Sequence, residues 1–441
     1  MRLKFLTASF ADVVDAMERS NDVIVDIRPM AAYNGWPLRH EVRGGHIAGA
    51  VPFSVSWFSG PKSPERMNLL ENKGITRDRN LILYGYGSDD ASMAASCLDG
   101  LGFGRIRIYA DGLPHWAADP DRRMDRLPRY RHLVHPQWLA SLLRGETCSE
   151  YEGGPFVIAH TSFDNRDDYN AGHIAGAIPL DTLFLEEPEH WNRRNPDELE
   201  KALLSNGITQ DTMVVLYGRT GNPSMEDPHP GRHAGQIAAM RAALLLMYAG
   251  VRDVRVLDGG FDAWLSAGYE ATFEEVSPEP VAEFGCRIPA HPEYIIGINE
   301  AKRYLADPMS ELVCMRSWPE FIGEKSGYHY IGLKGRIPGA VFGNCGSDAY
   351  HMENYRNPDN TMLCHHEIAA NWREVGIVAE KRIAFYCGTG WRASEAFFYA
   401  YLLGWDRIAI YDGGWFEWSI DEGNPVETGI PEGAFIRTRR F

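Results

Sequence analysis

Long apolar runs, positive charge and paired cysteines are all scarce in this 441-residue sequence. No stretch of about 18 consecutive apolar residues occurs, so no membrane-spanning helix is expected. The formal net charge is −16, which argues against nucleic acid or an anionic membrane as the main partner. An anionic small substrate would therefore need a local positive pocket. Cysteine appears seven times, at 97, 148, 286, 314, 345, 364 and 387. The number is odd and no pair has CxxC spacing, which excludes a zinc knuckle and a dithiol redox motif and points to reduced thiols. The N-terminal apolar run is broken by Thr7, Ser9 and Asp12, so it makes a poor signal peptide and a cytoplasmic location is expected. Nothing in the sequence asks for a metal, flavin or nucleotide, and no cofactor is expected.

What is present is a pattern written three times. A helix end, a Gly-Ile cap, a polar turn and an apolar strand recur, with Gly74, Gly207 and Gly376 at the cap and Tyr84, Tyr217 and Tyr386 closing the strand. The cap glycine lies 11 positions before the residue after the tyrosine in every copy, and that residue is Gly85, Gly218 or Cys387. A second block ends at Asp111-Gly112, Asp258-Gly259 and Asp412-Gly413 and leads to Trp116, Trp264 and Trp418. A third lies upstream, as Gly45-His46-Ile47, Gly172-His173-Ile174 and Gly335-Arg336-Ile337. Strands alternating with helices imply an α/β fold of three tandem units, each a mostly parallel sheet flanked by helices. The expected bounds are 1–125, 130–272 and 285–441, with a charged, proline-bearing stretch after the first and an acidic linker around 273–280.

The copies differ in chemistry. Asp26 and Arg28 in copy one read as a structural pair, and Cys97 as an inert buried thiol in a helix. Copy one should be inactive. Copy two has Gly218 in place of a thiol and is also expected to be inactive. From Gly218 to Trp264 it runs 46 residues, against 31 in the other copies, so an extra 15 fall near 219–233. This proline-rich segment reads as a surface insertion or as a flap near the site of copy three. Glu226, Asp227, His229 and His233 within it make only a weak metal motif. Copy three alone places a cysteine where a strand ends and a helix begins. Cys387 is followed by Gly388, Thr389, Gly390, Trp391 and Arg392. The glycines let successive N–H groups curl toward the sulfur, the helix start adds partial positive charge, and Arg392 adds a full one, with a salt bridge or cap in the first helical turn as its alternative to anion contact. Together these favour a nucleophilic thiolate and would hold a bound anion or a second sulfur. Trp391 is either a pocket wall or a packing residue. Arg356, Arg193 and Arg194 read as structural first, with anion contact as the alternative. Cys314 reads as buried in a strand, and Cys345 and Cys364 as spare thiols in loops.

The Gly-His-Ile-x-Gly-Ala blocks, the Asp-Gly-Gly ends and the Cys-Gly-Thr-Gly loop resemble the rhodaneses, the thiosulfate and mercaptopyruvate sulfurtransferases. The likeness is greatest to three-domain bacterial members in which only the last domain keeps the cysteine. The resemblance implies that Cys387 attacks the outer sulfur of a small anionic donor, forms a persulfide and passes that sulfur to cyanide, a thiol or a protein. It implies that the N–H groups of Gly388 through Arg392 stabilise the persulfide. Arg392 departs from the small hydroxylated residue usual at that place, and Arg336 from the histidine of Gly-His-Ile. Two other readings stand beside it. One is a Cys-dependent phosphatase or arsenate reductase, whose loop would hold five residues between cysteine and arginine where this one holds four. The other is a sulfur-carrier docking protein with little small-molecule turnover. A monomer is compatible with the sequence, which does not fix the oligomeric state.

Overall fold

The structure is a computed structural model, and it describes residues 5–59, 63–221, 226 and 229–431. Pro223, Asp227 and Pro228 of the insertion lie outside the described residues. The chain divides into two compact units, one ending at Arg131 and the other beginning at His132. The first holds copy one, and the second holds copies two and three together.

Each copy builds one five-stranded parallel sheet with the same strand order. In copy three that order is Ile295–Ile296, Ile408–Tyr411, Arg382–Tyr386, Ser310–Cys314 and Val341–Phe342. The central strand is Arg382–Tyr386, buried over its last four residues, as expected of a strand covered on both faces. Its counterparts are Asn80–Tyr84 and Met213–Tyr217. The cap glycines Gly74, Gly207 and Gly376 have φ of +70°, +74° and +82°, the left-handed conformation that lets a helix stop and the chain turn into the strand.

The repeated tryptophans close each copy in the same way. Trp116, Trp264 and Trp418 are buried and donate their indole N–H to the carbonyls of Arg123, Glu270 and Pro425. His46 and His173 bond the carbonyls of Tyr33 and Tyr169. Arg336 reaches instead to the Gly429 carbonyl and pairs with Glu427, so its departure from histidine is absorbed structurally. Asp26 and Arg28 form the expected buried pair at 2.6 Å, and Tyr84 donates to Asp26.

In the second unit the helix Gly235–Ala249 of copy two packs on the helix Trp391–Leu402 of copy three. All 15 residues of the former are buried, which explains its near-continuous apolar sequence. Among the described residues, no helix is long and apolar enough to cross a membrane.

Candidate functional site

Cys387 sits at the C-terminal end of the central strand, where the chain leaves the sheet and enters the helix Trp391–Leu402. It has no exposed surface. Gly390 caps that helix at φ +86°, a left-handed turn that glycine adopts without strain. Gly388 is required for another reason: a Cβ there would lie 2.2 Å from the ring of Tyr328. The N–H groups of Gly388 through Trp391 donate to no other protein group among the described residues. They remain available to a sulfur or an anion at the loop, where the helix start adds its partial charge.

Of its two expected roles, Arg392 fills the salt bridge and not the anion contact. Its guanidinium is buried and turned away into protein, with a two-pronged contact to Glu320 at 2.9 and 3.0 Å. It also donates to the Tyr328 hydroxyl at 2.8 Å, to the Asp348 carbonyl and to the Cys345 sulfur at 3.2 Å. Against the penalty of burial, Arg392 holds Glu320 below the ordinary carboxylate range. The arginine charge is therefore matched within the protein. Burial pushes Tyr328 well above the usual phenol range, so at neutral pH it is a protonated hydroxyl.

Beside the loop opens a cavity of about 340 Å³, reached by Thr389, Trp391 and Arg392. Its walls are aromatic rather than basic: Phe163 and Trp191 come from copy two, and Tyr328, Tyr330, Tyr350 and Trp391 from copy three. Phe163 meets Trp191 edge-on at 5.1 Å and Trp391 at 5.6 Å. Arg232 of the insertion is ion-paired with Asp164 at the rim. The cavity offers rings and matched charges where an anionic substrate would need a positive pocket.

His229 through Arg232 line this cavity, so the insertion lies beside the loop of copy three and the surface-insertion reading gives way to the flap position. Among the described residues, no cluster of three candidate ligands includes Glu226, His229 or His233. Trp391 is both a pocket wall and a packing residue: its N–H donates to Glu186 of copy two at 3.0 Å. Arg356 is spent on Glu395 in a two-pronged pair, and the side chains of Arg193 and Arg194 bond Tyr248 and the Leu183 carbonyl.

The thiols also differ from expectation in places. Cys97 is only half-buried, whereas Cys314, Cys345 and Cys364 are all buried. Cys345 is no spare surface thiol; it touches Arg392, and burial pushes its thiol up. Sequence reasoning missed Tyr328, Trp191, Glu186 and Arg241. A lone arginine inside the apolar run of Gly235–Ala249 was the available signal for the last of these.

The model of the rhodanese-like domain matches residues 9–119, 160–267 and 298–421. The chain belongs to the rhodanese-like family. It is a sulfurtransferase of three tandem rhodanese-like domains, which removes the phosphatase reading. A thiosulfate sulfurtransferase of Escherichia coli, YnjE, is 39% identical over 94% of this chain and 91% of its own. The wild-type structure of EanB is 47% identical, with a TM-score of 0.95 over 97% of this chain and 99% of that one. A further similar structure is the anaerobic ergothioneine biosynthesis enzyme of Chlorobium limicola bound to trimethyl histidine, its natural substrate, with TM-score 0.95, 47% identity and 97% and 100% coverage. EanB has been solved with a persulfide on one cysteine and ergothioneine bound. It has also been solved with substitutions at a threonine two residues after that cysteine, at a tyrosine 59 before it and at two cysteines 73 and 42 before it.

Proposed function

We propose that this chain carries a sulfane sulfur as a persulfide on Cys387 and delivers it to the imidazole ring of a trimethylated histidine betaine. The observation that carries this reading is the cavity. A quaternary ammonium binds best against aromatic faces, and a ring of Phe163, Trp191, Tyr330, Tyr350 and Trp391 offers them without an unmatched charge. Similarity to EanB supports it, and so does spacing. Thr389 stands two residues after Cys387, Tyr328 stands 59 before it, and Cys314 and Cys345 stand 73 and 42 before it. These are the residue types and separations of the substituted positions in that enzyme.

The chemistry has two halves. In loading, the Cys387 sulfur attacks the outer sulfur of a polysulfide or thiosulfate, or the thiol sulfur of 3-mercaptopyruvate. A bond forms between the two sulfurs as the donor's bond to that sulfur breaks, releasing the shortened polysulfide, sulfite or the pyruvate enolate. The amides of Gly388 through Arg392 face the added charge, and Arg392 acts through Glu320 and Tyr328 to fix the loop. The added sulfur lengthens a side chain that is itself wholly buried.

In transfer, a ring carbon–hydrogen bond breaks and a carbon–sulfur bond forms. The persulfide bond breaks with its electron pair going to the Cys387 sulfur, which ends as a thiol with the ring's proton. The sulfane sulfur takes the two electrons that the carbon gives up, so no external oxidant is needed. Tyr328 is a protonated hydroxyl packed against Gly388, suited to relay a proton between ring and sulfur. The nucleophile reacts twice, so ping-pong kinetics are expected.

The test offers each of the three donors with either trimethylated histidine or cyanide as acceptor and reads products by mass spectrometry. A betaine that gains one sulfur only when Cys387 is intact supports the reading. Thiocyanate formation with a betaine that never gains sulfur overturns it in favour of a thiosulfate-type sulfurtransferase. Negligible turnover with either acceptor, alongside a stable Cys387 persulfide, would favour the sulfur-carrier role.

A further inference from the structure

We propose that Arg241, in the thiol-free second copy, is the positioning residue that sets both tryptophan walls of the cavity and so the affinity for a quaternary ammonium. The inference rests on the substrate reading above and extends it to a residue outside the sulfur loop.

Arg241 lies on the helix Gly235–Ala249, and its side chain is completely buried. A guanidinium withdrawn from water must be matched by partners of good geometry. Here every partner is attached to the site. Its Nε donates to Glu186 at 3.0 Å, and Glu186 in turn accepts the Trp391 indole N–H at 3.0 and 3.1 Å. Its Nη2 donates to the carbonyl of Trp191 at 3.1 Å. Its Nη1 lies 2.8 Å from Asp412, whose other oxygen accepts the Arg193 N–H at 2.8 Å. A Cβ on Gly390 would sit 2.9 Å from that same Nη1, so the guanidinium lies directly against the sulfur loop.

Trp191 adds an independent sign. Its φ is +62°, the left-handed region that bulky residues avoid. Such a conformation persists where neighbours enforce it, and the bond from Arg241 to its carbonyl is one of the enforcing contacts. Held this way, Trp191 faces Phe163 and Tyr330, with centroids 5.1 and 6.2 Å away, and completes the wall opposite Trp391. One cation thus ties together the two walls, which come from different copies. Glu395 holds the matching place in copy three, since each residue lies 23 positions before its copy's closing tryptophan, and it pairs with Arg356 instead. Arginine on the copy-two helix is therefore not a requirement of the repeat.

The test measures binding by calorimetry to the full chain and to Arg241→Lys, Glu186→Gln, Trp391→Phe and Trp191→Ala. The probes are trimethylated histidine, plain histidine and the tetramethylammonium ion. Persulfide loading on Cys387 by polysulfide is followed by intact mass in the same samples. Loss of one desolvated cation–π contact is worth about tenfold in affinity. The expected result is a loss of about that size for the two quaternary ammonium probes in all four variants, none for plain histidine, and a rise in KM that outweighs any fall in kcat. Arg241→Lys is the decisive variant, because it leaves both indoles in place and changes only the group that ties them, whereas Trp391→Phe exchanges the indole for a smaller phenyl ring as well as removing the bond to Glu186. Wild-type affinity in Arg241→Lys and Trp391→Phe overturns the proposal. So does a joint loss of loading and binding, which would mark Arg241 as merely structural. If the wild type binds tetramethylammonium but not the betaine, the substrate reading fails while the role of Arg241 is still judged on the same tenfold difference. If it binds neither, both fail.

Discussion

Copies two and three build the same strand, loop and helix, yet they treat the space at the strand end in opposite ways. In copy three the end of Arg382–Tyr386 carries Cys387, and glycine backbone lies around it. In copy two the same place is occupied by protein. A Cβ on Gly218 would lie 2.0 Å from the Gly235 carbonyl oxygen and 2.7 Å from the Gln236 nitrogen. The Gln236 side chain accepts the Gly218 N–H at 3.2 Å and closes the cradle from within. The missing thiol is thus one part of a wider refilling, in which a helix start moved into the space a sulfur would need. What copy two kept is the outward work of its helix and loops, which supply Phe163, Glu186, Trp191 and Arg241 to the site of its neighbour.

The sharpest way to break this contrast is to move the thiol. Cys387→Ala should abolish the one-sulfur mass gain after polysulfide or thiosulfate treatment. Adding Gly218→Cys to it should not restore that gain, and overpacking should lower stability by about 1–3 kcal/mol. A persulfide on a cysteine at 218 would show that the refilled cradle still works.

A smaller effect is expected from filling the cradle that remains open. In Gly388→Val the new side chain displaces Tyr328 from the loop. A misplacement of about 1 Å at a reacting group costs on the order of a hundredfold in rate. Stopped-flow loading rates at or near the wild-type value would count against the packing of Tyr328 on Gly388.

The smallest effect concerns the carboxylate that joins the two copies. Burial raises Glu186 from its ordinary value of 4.5 to about 7, with Arg241, Thr182 and Trp391 pulling the other way. Between those values the folded protein holds a proton that the unfolded chain has released. Stability should therefore be greatest at the acid end and fall as pH rises from 4.5 to about 7. Buried Asp258, also raised to about 7, adds a slope of the same sign. Glu186→Gln should flatten only its own part, so Tm measured across that range should fall less steeply than in the wild type. Parallel curves would mean that Glu186 is ionised throughout.

Much of this was legible in the residues alone. Three ordered blocks in three copies determined the α/β architecture, because a repeated Gly-Ile cap, apolar strand and Asp-Gly-Gly turn can be satisfied by only one local path of the chain. Position singled out Cys387 among seven cysteines, since a thiol between a strand end and a glycine-led helix start gathers backbone N–H groups wherever the rest of the chain goes. The character of the pocket was not legible. Arg392 read equally as an ion-paired residue or as an anion contact, and its partner could not be named because Glu320, 72 residues upstream, reaches it only when the sheet folds. Phe163 and Trp191 were unremarkable because the faces they complete belong to another copy. Local propensity and spacing act along a few turns of chain, and they determined the loop. Which charges are cancelled and which rings meet is set by contacts between segments far apart in sequence, and only the tertiary structure decided those.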